Sequence, residues 1–440
     1  MRKIMIKKMP ILLTFFLFLL SAVAALAENT PPLRSPETTV KTPAIHLSES
    51  NVNEQEPKRP SDVVMEEQSE KQAANKISGP LIMRLSWKLI PGAVKYKVSF
   101  DDQEFITYIN AIEIQVNDVS KIFKVTAMAL DGSVIKDDLD IIEIETNPTA
   151  PKTTTEFDKM EFSPLYPVYS WVPVYNADYY LIELLKDGNV VRSYQTNYKG
   201  KDDIYDFYDT VPMNEGGNYY WRVRAMSKSG VPMSEWSKET EATTLKVTAP
   251  TRIAALGDSI THGGGAVSVP PSMIVYNWET YCSYPIKNLG RSGDTSDEIV
   301  DRFESDVLPF LPNILIIMAG VNDYRDGIFG WHTVTNYKLL NEKCKANNII
   351  PVFVTPTPIN PHLIKMTKFI EQPPSDWQAH YRFVCAWIRT QENYIDVSGE
   401  FEDSEGNLRA DLTTDGLHPD DEGKKIIGHA VNEWLKAHNQ

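Results

Sequence analysis

The stretch LGDSITHGGG (Leu256–Gly265) follows a short apolar run and ends in three consecutive glycines. Glycines after a predicted strand are typical of a turn, or of a loop whose backbone amides bind phosphate. A serine at the end of a strand is also a favourable position for a nucleophile. The residues expected at the ends of the neighbouring strands decide between these interpretations.

The rest of residues 249–440 favours a parallel α/β sheet. This region contains short apolar runs, and most of these runs do not alternate with polar residues. Such runs are expected for strands that are covered on both faces. These runs are RIAALGDS, PIKNLGRSGD, ILIIMAGVND, IIPVFVTPTP and YIDVSGEF. Helical segments are predicted between and after them: SDEIVDRFESDVLPF, WHTVTNYKLLNEKCKANN, SDWQAHYRFVCAWIRTQ and PDDEGKKIIGHAVNEWLKAH. Strands and helices that alternate in this way predict helices on both faces of the sheet, with ligands bound at the carboxyl ends of the strands.

Small polar motifs follow the first three predicted strands and should meet at one edge. They are Gly257-Asp258-Ser259, Ser292-Gly293-Asp294 and Gly320-Val321-Asn322-Asp323. Each motif alone is explained equally well as a turn. A fourth motif, TTDGLHPDDEG, places Asp415 three residues before His418, just ahead of the last predicted helix.

This combination predicts nucleophilic catalysis. A serine hydroxyl needs an adjacent base, which His418 would supply to Ser259. Asp415 would hold the imidazole in one tautomer and stabilise its charged form. The backbone N–H groups of Ser259 and Gly293 and the side-chain amide of Asn322 are expected to stabilise an oxyanion.

Other chemistries lack support in the sequence. The chain has no G-x-S-x-G motif, so an α/β-hydrolase elbow is not indicated. It also lacks H-E-x-x-H and a P-loop, so we predict no metal and no cofactor. Asp258, Asp294 and Asp323 are interpreted as structural turn residues.

The blocks GDSIT, RSGD, GVND and DGLH, in this order, resemble those of the GDSL, or SGNH, hydrolase family over about residues 251–440. The resemblance implies a flavodoxin-like three-layer fold and serine ester hydrolysis. It implies Ser259 as nucleophile and oxyanion donor, and Gly293 and Asn322 as further donors. It also implies His418 as the base and Asp415 as its orienting partner.

One segment departs from the family pattern. Many relatives continue a helix directly after the serine, whereas this chain has GGGAVSVPPSMIVYNWETYCSY at 263–284. The aromatic residues of this insert are explained either by a sugar-stacking cleft or by core packing: Tyr276, Trp278, Tyr281 and Tyr284. His262 is predicted to be a solvated loop residue rather than a substrate contact. The three cysteines, Cys282, Cys344 and Cys385, are interpreted as free thiols, with a single disulfide as the alternative.

An internal repeat precedes this region. Trp87, Ala93 and Tyr96 recur as Trp171, Ala177 and Tyr180, 84 residues later, and KVTAMALDG resembles RVRAMSKSG. The pattern resembles fibronectin type III domains and implies two β-sandwiches, at 79–147 and 148–248. Their aromatic residues are interpreted as core, and the modules as spacers or weak adhesion modules rather than dedicated carbohydrate-binding domains. Contact with the cell envelope or with glycan remains open.

The N-terminus predicts export. Four basic residues, an apolar core and Ala25-Leu26-Ala27 are typical of a signal peptide, residues 1–27, cleaved after Ala27. An uncleaved anchor helix is the alternative. Residues 28–78 contain no aromatic residue and are predicted to be a disordered linker. We therefore predict a secreted or cell-envelope (periplasmic) protein without stable membrane insertion after cleavage.

The charge of −15 argues against a nucleic-acid partner, because such binding requires cations. The sequence thus predicts an exported serine esterase that hydrolyses small acyl esters, acetyl above all, on carbohydrate polymers. The alternatives are a lipase, lysophospholipase or thioesterase of the same family, an acyltransferase, or an adhesion or scaffold protein with an inactive hydrolase domain.

Overall fold

A computed structural model of the 440-residue chain describes seven ranges of residues. They are 80–117, 122–160, 163–196, 205–245, 252–265, 269–367 and 370–438, without the side chains of 241–245. All of them belong to one compact unit, residues 74–440. The predicted signal peptide, 1–27, and linker, 28–78, lie outside the described residues. Within the described part of the chain, no helix has the length and apolar character needed to cross a membrane.

The described residues of the first β-module, 80–117 and 122–147, form seven strands in two antiparallel sheets. The strands are β1 (Leu81–Trp87), β2 (Lys95–Phe100), β3 (Gln103–Thr107), β4 (Ala111–Val116), β5 (Lys124–Met128), β6 (Val134–Lys136) and β7 (Ile141–Thr146). One sheet has the order β4-β1-β7 and the other β3-β2-β5-β6. Residues of both sheets, such as Leu85, Val98 and Val125, share one buried apolar cluster. The two sheets therefore enclose a common core.

The second β-module repeats several of these features. Its strands are β8 (Val168–Ser170), β9 (Tyr179–Lys186), β10 (Asn189–Gln195), β11 (Asp206–Tyr208), β12 (Gly217–Met226) and β13 (Thr240–Leu245). They form the sheets β10-β9-β12-β13 and β11-β8.

The predicted repeat has a structural counterpart in these two modules. The Tyr96 hydroxyl accepts a hydrogen bond from the backbone N–H of Ile90 at 3.0 Å, and the Tyr180 hydroxyl accepts one from Val174 at 2.7 Å. In both modules the tyrosine ring also lies against the repeated tryptophan. The β-rich character is confirmed, whereas the fibronectin type III identity stays a prediction.

The C-terminal region is built on a five-stranded parallel sheet. Its strands are β14 (Ile253–Gly257), β15 (Lys287–Gly290), β16 (Ile314–Met318), β17 (Ile350–Val354) and β18 (Tyr394–Ile395), in the order β15-β14-β16-β17-β18. This is the 2-1-3-4-5 order of flavodoxin-like folds. The helices are α1 (Ser259–His262), α2 (Ser296–Asp301), α3 (Phe303–Asp306), α4 (Val321–Arg325), α5 (Gly330–Ala346), α6 (Pro361–Met366), α7 (Trp377–Ile388), α8 (Ser398–Phe401) and α9 (Asp421–His438).

Both faces of this sheet are covered. Ala254 and Leu256 pack in the same apolar cluster as Tyr337 of α5. Ala255, on the opposite face of β14, shares a second cluster with Val431 of α9. The predicted three-layer arrangement is confirmed. The segment predicted as a helix over 296–310 is instead two short helices, α2 and α3, separated at Arg302.

The second β-module packs directly against the parallel sheet. Its buried residues and those of one sheet face form one continuous apolar cluster. The backbone N–H of Leu165 donates to the carbonyl of Asn288 at 2.9 Å. The Lys287 amino group, in a side chain that is almost completely buried, donates to the carbonyl of Ser163 at 2.9 Å. Burial lowers the pKa of Lys287 to about 7.

The burial of Lys287 predicts a specific pH dependence of stability. An unfolded lysine binds its proton up to a pH of about 10, whereas the folded protein releases it near 7. Between these values the unfolded state binds more protons, so the free energy of unfolding rises with pH. Lys287→Met removes this contribution. We expect the difference in unfolding free energy, wild type minus Lys287→Met, to increase between pH 7 and pH 10.

Denaturant titrations at several pH values measure this difference. Lys88→Met, at an exposed position of the first β-module, is the matched control, and its curve should run parallel to that of wild type. A pH-independent difference for Lys287→Met would contradict the burial of an uncharged lysine.

Candidate active site

The turn after β14 presents Ser259. The strand ends at Gly257, where an added Cβ would lie 2.2 Å from the carbonyl oxygen of Met318. Asp258 caps the short helix α1, because its Oδ1 accepts from the backbone N–H of Ile260 at 3.0 Å. Ser259 is therefore the first residue of a helix at the carboxyl edge of the sheet, and 7% of its surface is exposed.

Ser259, His418 and Asp415 form a hydrogen-bonded chain. The Ser259 Oγ lies 3.0 Å from His418 Nε2, and His418 Nδ1 lies 2.8 Å from Asp415 Oδ2. An ionised carboxylate only accepts hydrogen bonds, so it places the imidazole proton on Nδ1. Nε2 is then the acceptor for the serine hydroxyl, which is the arrangement required of a general base.

Asp415 remains ionised although it is buried. Burial acts to raise its pKa, but His418 and two backbone N–H groups outweigh burial, and the pKa lies below the usual value. The N–H groups of Leu417 and His418 each donate to Oδ1 at 2.8 Å. The carboxylate therefore uses one oxygen to fix its own turn and the other to orient the imidazole.

Gly293 and Asn322 lie at the ends of the two strands beside β14. Gly293 has a φ of +90°, which favours glycine. Its turn is held to β14 by a 3.1 Å hydrogen bond from the Arg291 N–H to the Gly257 carbonyl. The Asn322 amide, in the first turn of α4, donates to the Asp294 carbonyl at 2.8 Å and so has a fixed orientation. The three predicted oxyanion donors thus belong to three adjacent strand ends.

A buried arginine joins these strand ends. The Arg302 guanidinium donates to the carbonyls of Gly257 at 2.8 Å and Leu289 at 2.6 Å. It also donates to the carboxylates of Asp294 at 2.5 Å and Asp306 at 3.1 Å. Only 6% of the Arg302 side chain is exposed. The network connects β14, β15 and the turn that carries Gly293.

The three acids beside the site have structural contacts, as predicted. Asp258 caps α1, and Asp294 pairs with Arg302. Asp323 accepts from the hydroxyl of Thr333 at 2.6 Å and from the backbone and hydroxyl of Ser296. Burial raises the pKa of Asp258 to about 7.

His262 is buried, so the prediction of a solvated loop residue is wrong. Its side chain is 2% exposed and lies between the Ser292 turn and the second β-module. Nδ1 lies 2.8 Å from the Ser292 hydroxyl, and Nε2 lies 2.6 Å from the carbonyl oxygen of Tyr166. The Tyr208 ring of β11 also packs against the imidazole. Sequence reasoning missed this position because Tyr166 lies 96 residues upstream.

Lys424 is a second residue that the sequence did not single out. It lies in the first turn of α9, is fully buried, and donates to the carbonyl of Ile260 in α1 at 2.6 Å. Burial lowers its pKa to about 8, against the opposing effects of Glu279, Asp258 and Asp415. The first of two consecutive lysines in the sequence KKII gives no signal of such a contact.

The insert after α1 is folded back onto α9. Gly263 and Gly264 have positive φ values of 108° and 85°, and a Cβ on Gly263 would overlap Asn277. Trp278 is fully buried and Tyr276 nearly so, which confirms core packing for both. Tyr281 and Tyr284 are partly exposed, and a role in a cleft remains a prediction for them. Residues 266–268 lie outside the described residues.

The cysteine prediction is confirmed. Cys282, Cys344 and Cys385 are all described and all free. Burial raises the pKa of each thiol to about 12, so none has the thiolate character of a reactive cysteine at neutral pH.

The contacts of Arg302 predict that its substitution lowers the stability of the protein by a large amount. Arg302→Met would leave Asp306 buried without its cation and Asp294 with only the more distant Arg291 at 3.4 Å, and breaking a buried ion pair typically costs about 3–5 kcal/mol. We expect the free energy of unfolding, measured by urea titration, to fall by that order. Arg409→Met is the control, because Arg409 pairs with Asp411 on the surface and its removal should have little effect. Equal losses in the two variants would contradict a special role for Arg302.

Comparison with known proteins provides an assignment for this region. Residues 255–426 match the family described as GDSL-like lipase/acylhydrolase. No curated protein matches the chain.

Solved structures similar to the chain include a GDSL-like lipase of Bacteroides thetaiotaomicron, with 21% identity over 44% of this chain and 92% of that one, and a TM-score of 0.35. The lipase/acylhydrolase of Enterococcus faecalis shows 21% identity over 42% of this chain and 96% of that one, with a TM-score of 0.34. An acetyl xylan esterase shows 20% identity over 41% of this chain and 96% of that one, with a TM-score of 0.32. These TM-scores are too low to add to the assignment. On the family match, residues 255–426 are a GDSL-like lipase/acylhydrolase domain, and the protein is an ester hydrolase.

Proposed function

We propose that the protein is an exported serine esterase that removes small acyl groups, acetyl above all, from carbohydrate polymers. The observation that carries the proposal is the hydrogen-bonded chain from Ser259 through His418 to Asp415. It lies at the carboxyl edge of a parallel sheet, where such folds bind their ligands.

The mechanism follows from the proton positions. His418 Nε2 takes the hydroxyl proton of Ser259 as the Oγ attacks the ester carbonyl. The resulting imidazolium lies 2.8 Å from the ionised Asp415 and is stabilised by it. His418 then donates this proton to the leaving alcohol, which leaves an acyl group on Ser259. Water, deprotonated by His418, hydrolyses the acyl-enzyme and regenerates the serine.

The tetrahedral intermediates carry a negative charge on the former carbonyl oxygen. We propose that the backbone N–H groups of Ser259 and Gly293 and the amide of Asn322 donate to it. The positive φ of Gly293 and the Asn322–Asp294 bond support this role, because they fix both groups before substrate arrives. Fixed donors need no reorganisation during the reaction.

The substrate class rests on the predicted organisation of the rest of the chain. The predicted signal peptide, residues 1–27, and the predicted linker, 28–78, suit an enzyme that reaches an extended substrate outside the membrane. On this proposal the protein is secreted or resides in the cell envelope.

A panel of p-nitrophenyl esters and acetylated glycans tests the function. Wild type should hydrolyse acetyl esters, and Ser259→Ala should lose turnover by several orders of magnitude while its thermal unfolding stays similar. Turnover retained in Ser259→Ala would remove the nucleophile. Activity that rises toward long acyl chains would favour a lipase, and transfer to sugars in preference to water would favour an acyltransferase.

The role of Asn322 gives a separate prediction. Asn322→Ala should lower kcat by about 10²–10³-fold with little change in KM, as when an oxyanion donor is lost. Asn432→Ala is the matched control, because Asn432 is also buried but accepts from the backbone N–H of Ser283 in the insert and, within the described residues, makes no hydrogen bond to the strand ends of the site. Steady-state kinetics on acetyl ester should show normal kcat for the folded control. An unchanged kcat in Asn322→Ala would exclude the donor role.

A further inference from the structure

The segment ahead of β8, residues 163–166, connects the second β-module to the active-site edge. The Ser163 carbonyl accepts from Lys287, and Leu165 donates to Asn288, both in β15. Tyr166 extends this contact toward the site: its carbonyl meets His262, and its hydroxyl donates to Asp306 at 2.7 Å. These contacts hold the segment in register along the strand that leads to Gly293.

The partners of His262 determine its protonation state. The Tyr166 carbonyl can only accept a hydrogen bond, so His262 Nε2 must carry the proton. The backbone N–H of Ser292 points at Nδ1 from 3.2 Å, and an amide can only donate. Nδ1 is therefore unprotonated, and its single lone pair is shared between this N–H and the Ser292 hydroxyl, whose oxygen lies 2.8 Å away. The imidazole is neutral and in a single tautomer.

Burial agrees with this assignment. It lowers the pKa of His262 to about 4, and the cations Arg302, Lys424 and Arg291 act in the same direction against the opposing effect of the Tyr166 carbonyl. The neutral form is thus maintained at neutral and mildly acidic pH, so the charge of His262 is constant there.

The residue held by His262 is directly adjacent to Gly293. Ser292 is bonded through both its backbone N–H and its hydroxyl, while Arg291 is bonded to Gly257. The peptide group between Ser292 and Gly293 carries the proposed oxyanion donor. Its direction is therefore constrained by the contacts of the two residues that lead into it: Ser292 is bonded to His262, and Arg291 to the end of β14. His262 itself belongs to α1, the helix that begins with Ser259.

We propose that His262 is a positioning residue that holds the Ser292–Gly293 peptide in the orientation needed to bind the oxyanion, with the Tyr166 carbonyl of the second β-module as its fixed point. The inference rests on the proposed function, because it assigns Gly293 as an oxyanion donor. It makes the second β-module part of the catalytic unit.

Two substitutions separate the two contacts of the imidazole. In His262→Asn the carboxamide oxygen can occupy the position of Nδ1 and accept from Ser292, but the contact with Tyr166 is lost. In His262→Gln the amide nitrogen can occupy the position of Nε2 and donate to Tyr166, but Ser292 loses its acceptor. His438→Gln, at the exposed end of α9, is the control for a histidine without a role at the site.

Steady-state kinetics on p-nitrophenyl acetate should distinguish the variants. We expect His262→Gln to lower kcat by about 10–100-fold with KM within about threefold, because a misplaced donor weakens binding of the transition state more than of the substrate. His262→Asn should retain more kcat than His262→Gln, and His438→Gln should behave like wild type. Wild-type kcat in His262→Gln, or a larger loss in His262→Asn than in His262→Gln, would overturn the inference.

Nitrogen NMR of wild type provides a readout that does not depend on activity. The His262 signals should show a protonated Nε2 and an unprotonated Nδ1 that do not titrate between pH 5 and pH 8. A protonated Nδ1, or titration in this range, would overturn the inference even if the variants fail to fold. Failure of the proposed function gives a different result, namely turnover that is retained in Ser259→Ala. Normal turnover in His262→Gln, with turnover lost in Ser259→Ala, would overturn the present inference alone.

Discussion

The guanidinium of Arg302 is the interaction on which the site geometry depends. It donates to the carbonyl of Gly257, the last residue of β14, to the carbonyl of Leu289 in β15, and to two carboxylates. A buried cation is stable only if its donors are satisfied in this way. Its geometry therefore constrains both strand ends at once. Ser259 and Gly293, which follow these ends, cannot move apart without breaking bonds to a buried charge.

The second β-module adds an external constraint to the same edge. Tyr166 bonds through its hydroxyl to Asp306, a partner of Arg302, and through its carbonyl to His262 of α1. The interpretation of this module as a spacer does not fit these buried contacts, because a spacer would pack loosely against its neighbour. The module instead shares an apolar cluster with the parallel sheet. Its role as an adhesion module toward glycan remains a separate proposal.

The sequence was sufficient to predict the features of the fold and the site that depend on local residue patterns. The parallel strands were recognisable from apolar runs, and Ser259, Asn322 and His418 each follow a strand or precede a helix, so sheet topology alone brings them together. Contacts between distant segments left no such signal. Lys287 appears in the sequence as an ordinary strand lysine. It is nevertheless buried, and the carbonyl of Ser163 accepts a hydrogen bond from its amino group. The helix predicted over 296–310 is interrupted at Arg302, whose bonds to two strand carbonyls and two carboxylates are contacts that helical periodicity cannot identify.

Two buried aspartates show why residue type alone does not determine chemistry at this site. Asp258 and Asp415 are each 1% exposed, yet burial raises the pKa of Asp258 to about 7 while that of Asp415 lies below its usual value. Asp258 accepts from the Ile260 N–H, whereas Asp415 accepts from two backbone N–H groups and from His418. The additional donors outweigh the loss of solvation. The turn that bonds Asp415 thus maintains its negative charge, and this charge orients His418 toward Ser259.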